Sequence, residues 1–470
     1  MAFDVSKGKS YIVLYKNQDL IYEGEIPHNP TAFNELLPFL KRNEVELVFE
    51  ATGVYSKPLE HLFETNGFDY YCLNPLEASF QTATLRQMKT DQADAHRLAL
   101  SHLKFNRQIT IPPSLRHKEL KAMSFSYHQV HDELLVNRNY LHSELQYTFP
   151  GIEEIYKDNL SQYVLKILEK YPHPDYVTVH SRTKIKNFIK KQTKKRMSER
   201  QAVDKAEWIQ NCAKNSYSIV NKDSFRVKQV RKRIRNIDRL LTEKKAIRQD
   251  LISEASVLSD FSILESIPGI GELTSALLLA ELGDIQRFKT NKQLNAFVGI
   301  DVRRYQSGTI YKKDRIQKRG NKRARMILYY TIQNMLKRQK YIDNHIIDYY
   351  YKMKKEPYTK KHKVAMIACM NRLLKTIHYL IELSLHFTIY HISILITDSL
   401  TASSVPTVPF ISYLIVNVSP SSEIFKGIIG IISNLDSESI VTSIEDITSA
   451  FKKTESTELE SDSSRTFLLT

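Results

Sequence analysis

The sequence has 470 residues, of which 42% are hydrophobic and 26% are charged, so most of the chain can fold around buried cores. Lysine and arginine number 68 against 52 acidic residues, and the net charge of +16 favours a polyanionic partner. Three widely spaced cysteines exclude a disulfide framework and a CxxC-type zinc site. We expect no signal peptide, because the N-terminal residues lack an apolar h-region, and no membrane-spanning helix, because no run of about 18 apolar residues occurs.

The charge is unevenly divided along the chain. Residues 386–470 hold 4 basic and 10 acidic residues, a net charge of −6, and 17 of these 85 residues are serine. Subtracting them from the totals leaves 64 basic and 42 acidic residues in residues 1–385, a net charge of +22. We therefore expect a basic protein that ends near Leu385, followed by a divergent acidic tail that is either non-native or disordered.

Residues 1–110 alternate between apolar strands and helices. The pattern predicts three strands, at 3–5, 11–15 and 20–25, then a helix at 31–42 and a strand at 46–50. A helix at 56–65, a strand at 69–74 and a helix from Asp91 to about Leu103 follow, and Pro75 is expected to break the chain. This order is the layout of RNase H-like (RuvC-like) nucleases.

Residues 115–255 are expected to form a basic, helical, coiled-coil region. Apolar residues repeat in a heptad pattern along two helices, which we name the first and second seams. The first seam is Leu120, Met123, Tyr127, Val130, Leu134, Asn137 and Leu141, and the second is Val227, Val230, Ile234, Ile237 and Leu241. The seams predict dimerisation, and the cationic stretches at 184–200 and 226–235 predict a phosphate-facing surface, although a solvated face is the commoner origin of such stretches.

Residues 260–385 are expected to form a mostly helical C-terminal domain. The helices at 262–267 and 272–282 are joined by a Pro-Gly-Ile-Gly turn, which indicates a helix-hairpin-helix that grips DNA phosphates, or else a plain inter-helix turn. Residues 299–325 are glycine-punctuated and very basic, and we expect 303–325 to be a loop that contacts phosphates. The predicted nucleic-acid-binding residues are Pro268, Gly269, Ile270, Gly271, Arg303, Arg304, Lys312, Lys313, Arg315, Lys318, Arg319, Lys322 and Arg323.

Four acidic residues lie on predicted elements of the first domain: Asp4 on the first strand, Glu50 at the end of the fourth strand, and Asp91 and Asp94 three apart on one helix face. Neighbouring strands and a helix lying across them can bring these carboxylates together. Two Mg²⁺ ions would relieve the repulsion between them, with Mn²⁺ as an alternative, and would clamp a phosphodiester. Taken singly, each acid is more often an ordinary surface or cap residue.

Ser307 lies in a Gln-Ser-Gly sequence among arginines and lysines. A nucleophilic serine needs a base or a metal, and also cationic help at the phosphate, and only the second requirement is visible in the sequence. A Ser-Gly pair is more often a turn. No GxSxG, P-loop or HExxH pattern supports another hydrolase class.

Five short motifs in this order resemble the DEDD-type insertion-sequence transposases, some of which are guided by a bridge RNA. The motifs are Phe-Asp-Val-Ser-Lys at Asp4, Phe-Glu-Ala-Thr-Gly-Val-Tyr at Glu50, Lys-Thr-Asp-Gln-Ala-Asp-Ala at Asp91, Ile-Pro-Gly-Ile-Gly at Gly269 and Gln-Ser-Gly at Ser307. The resemblance implies that the four acids are metal ligands and that Ser307 forms a covalent 5′-phosphoserine link to DNA. It also implies a RuvC-like domain and a serine domain that act together from different subunits of a dimer or tetramer.

The expected function is therefore transposition or recombination of an insertion sequence by metal-assisted strand cleavage and exchange. The expected partners are double-stranded DNA, at the element ends and at the target, and a guide RNA, in a cytoplasmic, nucleoid-associated and membrane-free setting. Two alternatives remain. One is a RuvC-like endonuclease that hydrolyses DNA with metal ions alone, and the other is an inactive DNA-binding remnant of a transposase.

Overall fold

The structure is a computed structural model that describes residues 1–83, 90–155, 160–193, 196–308, 310–341, 343–385, 414–417 and 466–469. For residues 310–313 and the last two ranges only the backbone is described. The chain divides into two compact units, Met1–Pro113 (unit 1) and Ser114–Thr470 (unit 2).

Unit 1 is a five-stranded mixed sheet with helices on both faces. Its elements in chain order are β1 (Ala2–Ser6), β2 (Lys9–Lys16), β3 (Asp19–Pro27), α1 (Pro30–Arg42), β4 (Leu47–Glu50), α2 (Lys57–Thr65), β5 (Tyr70–Leu73), α3 (Pro75–Gln81) and α4 (Asp91–Lys104). The strands lie in the order β3-β2-β1-β4-β5. The first three are antiparallel neighbours, whereas β1, β4 and β5 run parallel.

The two faces of this sheet carry separate cores because side chains alternate along each strand. Phe3 and Phe49 point to one face, where they pack with residues of α1 and α2 such as Leu40 and Phe63. The other face carries smaller residues, which pack with α3 and α4. This core consists of Ala2, Val13, Val48 and Leu73 from the strands and Ala78, Ala95, Leu98 and Ala99 from the helices.

The predicted elements of unit 1 agree with the structure to within one or two residues at most boundaries. The exception is α3, where we expected only a break at Pro75. Proline fits the first turn of a helix because the N–H that it lacks has no partner there in any case. The Asn74 side chain caps this helix by accepting from the Leu76 N–H at 2.9 Å.

Up to residue 385, the described part of unit 2 is mostly helical and includes a β-hairpin. Its elements are α5 (Leu115–Thr148), α6 (Gln162–Lys170), α7 (Pro174–Thr178), α8 (Arg182–Gln192), α9 (Glu199–Asn215), α10 (Phe225–Ser256), α11 (Ser259–Ser266), α12 (Glu272–Leu282), α13 (Asn291–Val298), β6 (Val302–Ser307), β7 (Ile310–Ile316), α14 (Lys322–Arg338), α15 (His345–Lys354) and α16 (His362–Glu382). Two short 3₁₀ turns occur at Ile152–Ile155 and Ile285–Arg287.

The two heptad seams pack against each other within one chain. Helices α5 and α10 form an extended contact, and Val130, Leu134, Val230 and Ile234 are buried together in one core. At their other ends the same helices enter a second core with the C-terminal helices, to which Leu120 belongs. The heptad pattern is therefore explained without a partner subunit, and the seams are not open surfaces for dimerisation.

Helix α16 is long and apolar enough, by length and composition, to cross a membrane, although we expected no such helix. Most of it is buried in the core of unit 2, where Met366, Leu373 and Leu380 lie among residues of α12, α14 and α15. Burial of most of the helix, with 61% of its apolar window inside the protein, accounts for its composition.

The predicted tail, residues 386–470, lies outside the described residues apart from two short strands. These strands, β8 (Leu414–Asn417) and β9 (Thr466–Leu469), pair with each other in an antiparallel register.

A buried carboxylate joins three helices in unit 2. Glu281 on α12 is fully buried; it pairs with Lys121 and accepts a hydrogen bond from Ser124 Oγ at 2.7 Å, both residues of α5. Asn321, which caps α14, donates to Glu281 Oε2 at 2.9 Å. Burial alone would raise the pKa of Glu281, but the hydrogen bonds from these three side chains outweigh burial and hold the pKa below its ordinary value.

We predict that Glu281→Gln lowers the free energy of unfolding by about 2–4 kcal/mol, because it places an NH₂ group among donors in a buried site. Urea denaturation at neutral pH measures the effect. The folded pKa is lowered, so the contribution of this carboxylate is complete above its ordinary value of 4.5 and is lost as the pH falls through the folded pKa.

The matched control is Glu254→Gln, which removes a pair with Arg116 whose side chains are both about half exposed. This change should cost less than about 1 kcal/mol. Equal losses in the two variants would contradict a special role for Glu281.

Candidate functional site

Asp4 and Glu50 lie side by side on the sheet of unit 1. The parallel register pairs Ala2 with Val48 and Phe3 with Phe49, so Asp4 and Glu50 hold the next positions on neighbouring strands. By alternation both share the face of Ala2 and Val48, which is the face covered by α4. Both residues are half-buried.

The first turn of α4 approaches the same end of this face. His102, near the end of α4, lies 3.0 Å from a carboxylate oxygen of Glu46, which precedes β4, so α4 runs antiparallel to β4. Its N-terminal residues Asp91 and Asp94 stand four residues before Ala95 and Leu98, which are buried against the sheet. Asp91 and Asp94 therefore lie on the sheet-facing stripe of the helix.

The electrostatics of Lys9 place Asp91 near the same end of the sheet. Lys9 pairs with Ser6 at the end of β1. Its pKa is raised, first by the hydrogen bond and charge of Glu25, 2.8 Å away, and also by the charge of Asp91. The end of β1 that carries Asp4 is thus the end approached by α4.

Helix α4 is held on the sheet by polar contacts beside these acids. Glu23 of β3 accepts a hydrogen bond from Gln92 at 3.0 Å and lies 2.9 Å from His96 Nε2. The other ring nitrogen of His96 lies 2.8 Å from the Tyr15 hydroxyl. The Thr90 side chain caps the helix by accepting from the Ala93 N–H. The preceding Lys89, which belongs to the predicted motif, lies outside the described residues.

The four carboxylates share a face but do not form a ready cluster. Within the described ranges, no three His, Cys, Asp or Glu side chains are close enough to hold a metal ion. Asp94 pairs with Arg97, with a distance of 3.0 Å between Oδ1 and Nη1. Carboxylate oxygens are suitable ligands for a hard divalent cation. The four acids therefore fit such an ion by their chemistry, provided that Asp94 leaves its ion pair with Arg97.

Ser307 is the last residue of β6, at the tip of an exposed β-hairpin that we name the arm (Val302–Ile316). It pairs with Ile310 across the turn, and Gly308 takes a positive φ of +54° there. We expected 303–325 to be a loop, but the first part is this hairpin. β-Branched and aromatic residues on both sides of a Ser-Gly pair, Val302 and Tyr305 before it and Ile310 and Tyr311 after it, were the signal that sequence reasoning missed.

Two glycines let the chain cross itself at the root of the arm. A Cβ on Gly299 would lie 2.0 Å from the Arg319 carbonyl oxygen, and one on Gly320 would lie 2.4 Å from the Phe297 carbonyl oxygen. Both residues have positive φ, +79° and +116°. Arg325 closes the crossing by donating to the Val298 carbonyl at 2.6 Å, so the root is rigid although the arm is exposed.

The Pro-Gly-Ile-Gly turn joins α11 to α12, as predicted. Its two glycines differ in the space around them. Gly269 has φ +94°, and a Cβ there would lie 2.5 Å from Met335 Cγ, so packing against α14 explains it without a phosphate. A Cβ on Gly271, at the start of α12, would meet nothing within 4 Å. The Pro268 carbonyl accepts from Asn344 at 3.3 Å, and Ile270 is buried.

Many cations of the two helical basic stretches are used inside the protein. Lys186 and Lys190 both bond Glu199, whose pKa they lower to about 2. Several cations of α10 pair with acids or lie over tyrosine rings. These contacts are Arg226 with Glu144 and Tyr147, Arg231 with Tyr176, Arg233 with Tyr140, and Arg235 with Glu169. Such cations are less available to phosphates than the sequence predicted.

The remaining predicted nucleic-acid residues lie on the arm and at the start of α14. Arg303, Arg304, Arg315, Lys318 and Arg319 are exposed. Lys322 and Arg323 open α14, where Arg323 lies over the Phe125 ring at 4.5 Å. The side chains of Lys312 and Lys313 lie outside the described residues, although their backbone belongs to β7.

Comparison with known proteins matches both units to transposases. Residues 1–150 match the DEDD transposase model of the IS110 type, and residues 261–349 match the model described as the transposase IS116/IS110/IS902 family. These two stretches are similar to the IS110/IS116/IS902 family of DEDD transposases. This agrees with the resemblance read from the five motifs.

Three curated relatives show similarity over short stretches. The transposase for insertion sequence element IS1111A of Coxiella burnetii is 35% identical over 92 residues, which is 20% of this chain and 25% of that protein. The pilin gene-inverting protein of Moraxella bovis is 39% identical over 69 residues, 14% of this chain and 21% of that protein. The transposase for insertion sequence element IS1328 of Yersinia enterocolitica is 33% identical over 78 residues, which is 17% of this chain and 23% of that protein. The matched stretches thus span a quarter or less of these relatives.

We predict that Gly299→Ala lowers the free energy of unfolding by roughly 2–5 kcal/mol, because a methyl group meets the carbonyl of Arg319 and the positive φ is strained. Gly308→Ala is the matched control, since its φ is also positive but a Cβ there meets nothing within 4 Å. It should cost only about 1–2 kcal/mol. Urea denaturation measures both, and a loss no larger at Gly299 than at Gly308 would show that the crossing is not rigid.

Proposed function

We propose that this chain is the transposase of an insertion sequence and that it cleaves and rejoins DNA through a covalent phosphoserine at Ser307. The observation that carries the proposal is the pair of family matches, with the four acids on one face in the first region and Ser307 exposed among arginines in the second. Two of the relatives are named as transposases and the third as a pilin gene-inverting protein, and both names support recombination chemistry.

For unit 1 we propose an RNase H-like fold in which Asp4, Glu50, Asp91 and Asp94 hold divalent metal, Mg²⁺ or Mn²⁺. The strand order β3-β2-β1-β4-β5 and the approach of α4 to the end of β1 support this assignment. When bound, the metal would stabilise negative charge on a phosphodiester. The chain's own part is positional, because Gln92 and His96 hold α4, and with it both aspartates, against the sheet through Glu23.

For Ser307 we propose a transesterification. The serine Oγ–P bond forms as the P–O3′ bond of the DNA breaks, and the serine proton passes to the departing 3′ oxygen. The 3′-hydroxyl of another strand then attacks the phosphorus, and the serine leaves with a proton. The phosphodiester energy is conserved, so rejoining needs no outside source. Arginines beside Ser307 would stabilise the charge on the phosphate.

The proposed partners are double-stranded DNA, at the element ends and at the target, and a non-coding guide RNA. The guide RNA rests on the family resemblance alone, as does assembly into a dimer or tetramer in a cytoplasmic, nucleoid-associated setting. We also retain the helix-hairpin-helix role for residues 268–271. Gly271 is the glycine there that leaves room for a phosphate at the start of α12.

We predict that Asp4→Asn reduces DNA cleavage more than about 100-fold, because losing even an outer partner of a metal ligand costs about 10–100-fold. DNA binding should change little, since cations elsewhere position the DNA. A cleavage assay with Mg²⁺ and a gel-shift assay measure the two effects. Asp19→Asn, an exposed acid at the start of β3, is the control and should cleave normally. Normal cleavage by a folded Asp4→Asn protein would refute the metal-site assignment.

We predict that Ser307→Ala abolishes the covalent protein–DNA adduct and strand joining while DNA binding persists. Denaturing gels of labelled DNA detect the adduct. Gln306→Ala is the matched control, because Gln306 is also exposed but faces the opposite side of β6 by alternation. Free cleaved ends without an adduct in the wild-type protein would favour the metal-only endonuclease. If neither the wild-type protein nor any variant cleaves DNA, the inactive remnant is favoured.

A further inference from the structure

We propose that the arm inserts one face into the major groove of duplex DNA, with Arg303 and Arg315 as its groove-reading pair. The inference rests on the proposed function, because it supplies the surface that brings DNA to Ser307. It starts from the register of the hairpin.

Arg303 and Arg315 are directly opposite each other across the two strands. Like charges at such a position destabilise a hairpin. Both side chains are exposed, and within the described part of the chain neither has an acidic partner. Arg304, by contrast, pairs with Asp314, with 3.5 Å between Nε and Oδ2. The Arg303–Arg315 pair thus lacks the neutralising group that an anionic ligand would provide.

The arm has two different faces. Along β6, Arg303, Tyr305 and Ser307 alternate with Arg304 and Gln306, so the first three share a face with Arg315. We name this the arginine face. The opposite face carries the Arg304–Asp314 pair, in which the charges cancel. The arginine face is therefore cationic and ends at Ser307, whereas on the opposite face the arginine that the structure describes is paired with an acid.

The dimensions of the arm fit B-form DNA. Six residues of strand span roughly 20 Å, and the two strands lie about 4.8 Å apart. The major groove is about 12 Å wide and 8.5 Å deep, and it admits a two-stranded ribbon. The major groove of A-form RNA is too deep and narrow for side chains to read. Arginine matches the O6 and N7 acceptors of guanine in that DNA groove.

The arm also has the support that such a role requires. A two-stranded hairpin alone is marginally stable in water, and every residue of β6 is exposed. Its root is nevertheless rigid, through Gly299, Gly320 and the cap of α14 at Asn321, which is bonded to buried Glu281. The arm is therefore held at its root, while its strands are exposed and carry the arginine face. Such a hairpin suits docking into a partner.

The test measures binding of the full chain to a mixed-sequence B-form duplex. Arg303→Gln with Arg315→Gln should weaken binding roughly tenfold or more. Lys228→Gln with Lys232→Gln on α10 removes the same charge from exposed positions and should have a smaller effect. Arg304→Gln, on the opposite face of the arm, should also have a smaller effect. Circular dichroism checks that each variant is folded.

Methylation interference identifies the groove. Dimethyl sulfate marks guanine N7 in the major groove and adenine N3 in the minor groove. We expect N7 methylation to block the wild-type protein and to lose its effect in the double arginine variant. Interference at N3 alone, or wild-type binding by the double variant, would overturn the proposal.

The two proposals fail separately. If Ser307→Ala still joins DNA while N7 interference persists, the serine chemistry is wrong and the arm assignment stands. If the adduct forms at Ser307 but N7 methylation has no effect, the chemistry stands and the groove assignment is wrong.

Discussion

The geometry of unit 2 depends on the buried carboxylate of Glu281. A charge that is removed from water is tolerated only where donors satisfy it, and here the donors come from α5 and from the cap of α14. Asn321 immediately follows Gly320, where the chain returns from the arm. The same hydrogen bonds that satisfy the carboxylate therefore also anchor the chain where it returns from the arm.

Net charge was a guide to the class of partner but not to the surface that binds it. The stretches at 184–200 and 226–235 look as basic as the arm in the sequence, yet acids on α9, α5 and α6 and several tyrosine rings engage many of their cations. Such partners come from distant parts of the chain, so no local pattern reveals them. The arm differs because its arginine face has no acid within the described residues.

Local periodicity explains what sequence reasoning predicted well. The strands of unit 1 and α12 follow apolar patterns of two and three to four residues, and their positions agree closely with the structure. The adjacency of Asp4 and Glu50 follows from a parallel pairing that an RNase H-like order implies. The Glu281 network, the packing of Gly269 on Met335 and the closure of the heptad seams within one chain depend on long-range contacts, which periodicity does not encode.

One extra residue in β7 accounts for the two-faced character of the arm. The register changes between Arg303 and Tyr305, so β7 carries a bulge between Arg315 and Lys312. Without it Asp314 would stand directly opposite Arg303, and a carboxylate would neutralise the arginine face. With it Arg315 takes that position, and Asp314 pairs with Arg304 on the other face. The bulge therefore separates the charges of the hairpin and leaves the face that ends at Ser307 cationic.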